Sequence, residues 1–345
     1  MPMRDRREIR AEKKTDREAR IMDRRGLLLS APAVAAALAA APARAQAWPS
    51  RPIRLIVPFP PGGPNDIIAR LYAPQLTALL GQPVVVENRA GGGGVVGTDA
   101  AVRSAPDGYT LVITNGGSLV ITPHVSANVP YKVPQDMTLL SIVTRVPEAL
   151  VAYPGLGVKT LPELQELARR SPGRLNIGTA GAAGLSHLTA ELFKAQTGLD
   201  VVVVPYRGAA PAVTDLVGGQ IQLLFADLPV LMPHIRGATL TALAMASARR
   251  SPALPDLPTT AELGFPGLLA DNWYCLVGPA GLPAPVAARL NDAARRASQA
   301  PEVRDGLAAQ GAEASATTPE EFAAFVRSES AKWQRVAQAA GVRVD

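Results

Sequence analysis

The residues with the most chemical potential fall in two glycine-rich loops, VPFPPGGPND (57–66) and NIGTAGAAGLSH (176–187). In the first, Pro58, Pro60 and Pro61 forbid continuation of the β-branched run Ile53–Val57 as strand or helix. Gly62 and Gly63 let backbone approach a partner closely, and Pro64, Asn65 and Asp66 suit a helix start over IIARLYAPQLTALL. In the second, Ala180 and Gly181 leave backbone amides uncovered, Thr179 and Ser186 add hydroxyls, and a helix begins directly afterwards. First-turn N–H groups have no acceptor within their own helix and sit at the positive end of its dipole, so both loops suit an anion. One such loop alone reads equally well as a strand-to-helix connector or a tight-packing turn. Two of the same kind point to binding.

Other chemistries find less support. Gly92, Gly94 and Gly97 spell GxGxxG, but the dinucleotide unit needs an acid at the end of the next strand, about twenty residues on. Asp107 comes only ten residues after Gly97 and opens the turn Asp107-Gly108, so no nicotinamide cofactor is expected. Of the three histidines, His187 follows Ser186 directly, too close for a nucleophile–base pair on a regular helix. Neither GxSxG nor HExxH occurs. Asp66, Asp227 and Asp271 read as separate carboxylates, each after an apolar run; Asp227 either faces a cleft or caps the next turn. No spacing supports a metal, another cofactor or acid–base catalysis. Phe59, Tyr206, Trp273 and Tyr274 lie near loops or extended crossings and read as pocket wall or core, with Phe59 the first candidate for a wall.

The elements that must position these loops alternate. Strand-like runs at 53–57, 83–88, 107–116, 174–181, 200–208, 221–227 and 240–247 are separated by helix-like segments, and helices fill most of 283–342. Short buried strands between helices predict an α/β protein with parallel-type sheets covered on both faces. The extended stretches 139–154 and 268–278 read as two crossings between lobes. They divide the chain into 48–147 plus 274–345 and 148–273, with a ligand cleft between.

Charge is informative once it is split. The chain carries a net +6, yet residues 1–47 hold eleven Lys/Arg against six Asp/Glu, so residues 48–345 carry only +1. A nucleic-acid partner loses its main support. The first 47 residues show the charged, apolar and small-residue layout of an export signal, ending at Ala43-Arg44-Ala45 or Ala45-Gln46-Ala47. Arg24 and Arg25 before Leu27-Leu28 resemble a twin-arginine signal, with the general secretory route as the alternative and Met22 as an alternative start. The apolar run is short and Ala/Pro-rich for a stable membrane span. Cys275 is the only cysteine, which excludes an internal disulfide and a Cys-rich metal site.

VPFPPGGPNDIIAR, ENRAGGGGVVGTDA, APDGYTL, the 178–187 loop, VPYRGAAPAVTDLVGGQIQLLFADLP and RSPALPDLPTTAELG together resemble the Bug family, the periplasmic receptors of tripartite tricarboxylate transporters, across about residues 48–345. The resemblance implies a two-lobed, type II (Venus-flytrap) binding protein in the periplasm, a monomer without catalysis. It would capture a small carboxylate for a membrane permease. The family's first binding loop falls on Phe59–Asp66, with Gly62, Gly63 and Asn65 inside it. Its second falls on Thr179, Ala180 and Gly181, with Ser186 and His187 just beyond, and Asn115-Gly116-Gly117-Ser118 is expected to add contacts; Tyr206 and Asp227 complete the candidate set. Relatives often read Phe-Asp-Asn-Leu-Pro where this chain has Phe225-Ala226-Asp227-Leu228-Pro229, so the carboxylate is displaced by one position. Two rival readings remain: a ligand sensor serving a membrane signalling protein, and an exported hydrolase using Ser186 or Ser118.

Overall fold

The computed structural model describes residues 48–344. The expected export signal, residues 1–47, lies outside them. The first half of the chain supplies β1 (Ile53–Val57), α1 (Pro64–Leu80), β2 (Val84–Asn88), α2 (Val95–Val102), β3 (Thr110–Asn115), the short α3 (Thr122–Val125), β4 (Met137–Ala152) and α4 (Leu161–Arg170). Then come β5 (Leu175–Thr179), α5 (Leu185–Thr197), β6 (Val201–Pro205), α6 (Ala209–Val217), β7 (Leu223–Asp227), α7 (Leu228–Arg236) and β8 (Thr241–Met245). The chain closes with β9 (Asp271–Pro279), α8 (Ala284–Ala297), α9 (Pro301–Ala308), β10 (Glu313–Ala314) and α10 (Pro319–Ala340).

The strands form a sheet of order β2-β1-β3-β9-β4-β7-β5-β6, with β8 and β10 also pairing with β4. The outer strands pair in parallel, β1 with β2 and β3, and β5 with β6 and β7. The centre differs from the parallel-type expectation, because β9 runs antiparallel to both β3 and β4, and β4 runs antiparallel to β7 and β8. The reason is connectivity: β4 and β9 carry the chain across the middle in opposite directions.

β4 joins the halves. Residues Met137–Pro147 pair with β9, and Glu148–Ala152 pair with β7. Its sixteen residues are nearly all buried, which is why the sequence there reads as one long apolar run. One core cluster spans both halves and includes Val112, Leu150, Phe193, Phe225 and Trp273. Helix α10 packs its Phe322 and Phe325 edge-on against Trp273, with centroids 5.8 and 5.4 Å apart. Thr318 and Glu321 form a capping box that starts this helix.

Candidate functional site

Helix α1 begins without a side-chain cap. Its Ncap is Gly63 and Pro64 follows, so the first-turn amides of Asn65 and Asp66 lack intrahelical acceptors. The two side chains themselves turn inward. Asn65 Nδ2 donates to the Ile113 carbonyl on β3 at 3.4 Å. Asp66 Oδ2 accepts from the Gly62 amide and from Arg70 Nε, and Oδ1 accepts from Asn88 Nδ2, each at 2.9 Å. Asn88 also donates to the Phe59 carbonyl at 3.1 Å. The Arg70 hydrogen bond, with help from Gly62 and Asn88, outweighs burial and holds the Asp66 carboxyl down to about 2. Asp66 therefore clamps the loop shut on its protein side and leaves backbone, not carboxylate, on the other.

The second loop repeats this design. Gly184 is the uncapped start of α5. The Ser186 hydroxyl accepts from the Ala180 amide at 2.8 Å, and His187 Nδ1 accepts from the Ala183 amide at 3.1 Å. Burial pulls the His187 pKa down, which favours the neutral ring needed for that bond. Among the described residues, the amides of Gly181 and Ala182 make no hydrogen bond to protein. Thr179 is buried and donates to the Gly181 carbonyl at 3.2 Å, so its hydroxyl shapes the loop. Tyr206 lies against this loop, its amide bonded to the Thr179 carbonyl, but its phenol donates to Asp215 at 2.8 Å. Burial and that carboxylate push the phenol up to about 12.

The third segment follows β3. Ser118 is buried, its amide and hydroxyl both held by Asn115 Oδ1, at 3.1 and 3.3 Å. Gly116 is required sterically, since a Cβ there would lie 2.6 Å from the Trp273 indole. The Gly91–Gly94 turn also reaches this place. A Cβ on Gly94, at φ +98°, would meet Ser118 Oγ at 2.5 Å and the Phe59 ring at 2.8 Å. Gly97 explains the remainder of the GxGxxG string by packing: its Cβ would fall 2.6 Å from Pro58 Cα and from the Arg89 carbonyl.

β9 brings the two halves together. Tyr274 stands opposite Asn115 in register. The Tyr274 hydroxyl reaches Asp227 Oδ2 at 3.4 Å, and Asn272 Nδ2 donates to both Asp227 oxygens at 3.3 and 3.0 Å. β9 thus sets Tyr274 beside Asn115 and Asp227, the carboxyl-terminal residues of β3 and β7, on the usual ligand side of an open α/β sheet. Asp227 is not the isolated carboxylate expected. Its register partner is Glu148, buried in β4 with Oε2 unpartnered. Burial pushes the Asp227 carboxyl up to about 6 and the Glu148 carboxyl well above its usual range. A glutamate inside the apolar run EALVA was the signal for it, because an acid there must be buried.

Among the described residues neither Ser186 nor Ser118 has a histidine partner: His187 bonds the Ala183 amide, His124 bonds Ser330 and His234 bonds Thr239. Among the described residues no cluster of three His, Cys, Asp or Glu is placed to hold a metal. A cavity of about 180 Å³ beside Arg145, Arg249, Asp271 and Glu313 touches none of the three loops.

Two half sheets on shared crossing strands, with amide-rich loops at their carboxyl ends, define a two-lobed solute-binding receptor. A family model for the tripartite tricarboxylate transporter family receptor, TctC, matches residues 68–342. Protein BugT of Bordetella pertussis is 39% identical over 312 residues, covering 90% of this chain and 96% of the relative. The structure of R. palustris Rpa4515 with adipate is 33% identical with a TM-score of 0.77, covering 86% of this chain and 99% of that one. MatC from Rhodopseudomonas palustris with bound malate is 31% identical with a TM-score of 0.72, covering 84% and 99%. The chain belongs to the TctC family, the Bug-type receptors of tripartite tricarboxylate transporters. That family consists of periplasmic solute-binding receptors rather than enzymes, and no helix among the described residues is long and apolar enough to cross a membrane.

Proposed function

We propose that this receptor captures a small carboxylate between lobes 48–147 plus 274–345 and 148–273 and delivers it, unchanged, to a tripartite permease. The observation that carries the reading is the pair of uncapped helix starts, Gly63 and Gly184, one in each half of the sheet, each following a strand. Amides of Asn65, Asp66 and Gly181 and the Ser186 hydroxyl hold the anion, while Gly62, Gly63 and Ala180, whose amides bond Asp66, the Pro60 carbonyl and Ser186, set the shape of the two loops. Phe59 and Tyr206 wall the pocket, and Gly116, Thr179 and Ser118 shape it. Asp227 sets the charge of the floor. Each charge-assisted hydrogen bond contributes about 1.5–3 kcal/mol net, so several of them reach micromolar affinity, about −8 kcal/mol, after association costs. The carboxylates bound by two relatives support the ligand class.

The protein acts as a monomer in the periplasm, exported through Arg24-Arg25 by the twin-arginine route. A thermal-shift screen of mono- and dicarboxylates tests the reading, because a ligand that binds only the folded state raises apparent stability. Calorimetry and mass analysis of the recovered ligand then follow. Chemical conversion of the ligand, or no stabilisation by any carboxylate, overturns it. Co-purification with a signalling protein in place of a permease would favour the sensor role.

A further inference from the structure

Glu148 sits on β4 at the residue where pairing passes from β9 to β7, and it is 2% exposed. Asp227 is directly opposite. Opposed residues of an antiparallel pair lie about 4.5–5.5 Å apart at Cα with side chains on one face, so two carboxyl groups stand side by side. Their surroundings are uncharged or acidic. Asn272 and Tyr274 on β9 contact Asp227, the Thr189 hydroxyl on α5 stands beside Glu148, and Asp271 on β9 adds a further negative charge nearby. The cations of this region, Arg145 and Lys332, act on Asp271. Like charges at this separation and burial do not both ionise near neutral pH; they titrate as a unit that retains a proton. Asp227 is the partly exposed member, ending the strand next to β5 and its Thr179–Ser186 loop, whereas Glu148 is the buried member.

We infer that Glu148 and Asp227 share one proton at the floor of the cleft, and that Glu148 is the residue that couples capture of a dicarboxylate to uptake of a second proton. This rests on the carboxylate-receptor reading. A ligand carboxylate brought beside a singly ionised pair raises the pair's affinity for a proton, and by linkage the proton raises affinity for the ligand by the same factor. A monocarboxylate whose far end is apolar places no second charge there and binds without this dependence.

The test uses the mature chain and two probes, adipate and malate, with calorimetry between pH 7 and 8 in buffers of different ionisation enthalpy. Across that range the probes' own carboxyls are ionised, so uptake reports on the protein. Wild type is expected to take up a proton and to lose up to about tenfold in affinity per pH unit. Glu148→Gln and Asp227→Asn are expected to lose most of that slope. Carboxyl-carbon NMR of the ligand-free protein gives a second readout: in Glu148→Gln, Asp227 should ionise at lower pH than in wild type. Binding without proton uptake overturns the inference, as does an equal slope in Glu148→Gln or ionisation of both groups below pH 5 without ligand. If no dicarboxylate binds, the coupling is overturned while the receptor reading falls only if monocarboxylates fail as well, and the NMR titration still reports on the shared proton.

Discussion

Replacing Asp66 by Asn tests whether the first loop is clamped by a buried carboxylate. The change preserves shape but exchanges one acceptor oxygen for an NH2 group. The amide cannot accept from Gly62, Arg70 and Asn88 together, and one of those three donors is left facing another donor. The fall from the usual 3.8 to about 2 corresponds to about 2.5 kcal/mol of stabilisation. Arg70 is more than half exposed, so solvent screening reduces this to about 1–2 kcal/mol. Because the folded-state value is depressed, the contribution is complete above the unfolded value of 3.8 and is lost as pH falls through about 2; about half remains at pH 3. Urea unfolding of wild type and Asp66→Asn at pH 7 and pH 3 measures it, with a difference of about 1–2 kcal/mol at pH 7 that shrinks at pH 3. Carboxylate affinity should fall at pH 7 as the loop amides lose their fixed direction. An unchanged midpoint at pH 7, or a difference that stays constant down to pH 3, refutes the clamp.

Gly181→Val places a side chain where nothing lies within 4 Å but at φ +158°, which L side chains rarely adopt, so the loop should strain by about 1–3 kcal/mol without loss of the fold while carboxylate binding is lost; calorimetry beside a thermal melt checks both. Gly116→Ala is the opposite case: its Cβ would lie 2.6 Å from the Trp273 ring, and overpacking should lower stability by about 1–3 kcal/mol in urea with or without ligand. Thr179→Val removes the hydroxyl bonded to the Gly181 carbonyl and should cost about 0.5–1.5 kcal/mol of stability, visible in the ligand-free protein, because the bond is internal. Asp271 is lifted to about 6 by burial, so the folded state binds more protons than the unfolded state between about pH 4 and 6, and its penalty grows as pH rises through that window. Asp271→Asn should raise stability by about 1–2 kcal/mol at pH 7.5 and leave it unchanged near pH 4; equal effects at both pH values exclude this origin.

Both uncapped strand-to-helix loops were legible because proline and glycine act locally. Pro58, Pro60 and Pro61 stop β1, and Pro64 starts α1 one residue after its Gly63 Ncap. The segment read as extended over 139–154 corresponds to β4, since a strand with fourteen of its sixteen residues buried cannot avoid a largely apolar composition. Hydroxyl roles were less legible. Thr179 read as a hydroxyl donor for a ligand and Ser118 as part of a loop adding contacts, yet their hydroxyls bond the Gly181 carbonyl and Asn115. A short side chain beside its own turn finds a backbone or Asx partner first.

The acid pair illustrates the harder limit. Glu148 and Asp227 are far apart in the chain, and only strand register makes them neighbours. A one-residue slip of β7 would turn Asp227 to the other face and leave Glu148 opposite an apolar side chain. Periodicity gives the strand and its burial, but not the partner residue. The anomaly was nevertheless visible from one side. EALVA puts a carboxylate into a stretch with no polar neighbour to satisfy it, and burial of an unpaired charge is so unfavourable that a proton or a partner must be near. Asn272 and Tyr274 are the same kind of signal on β9, two polar groups at the start of an otherwise buried strand. Taken as a set, buried polar residues on the crossing strands mark where ordinary packing has been set aside, and in this chain they gather where β4 passes from β9 to β7.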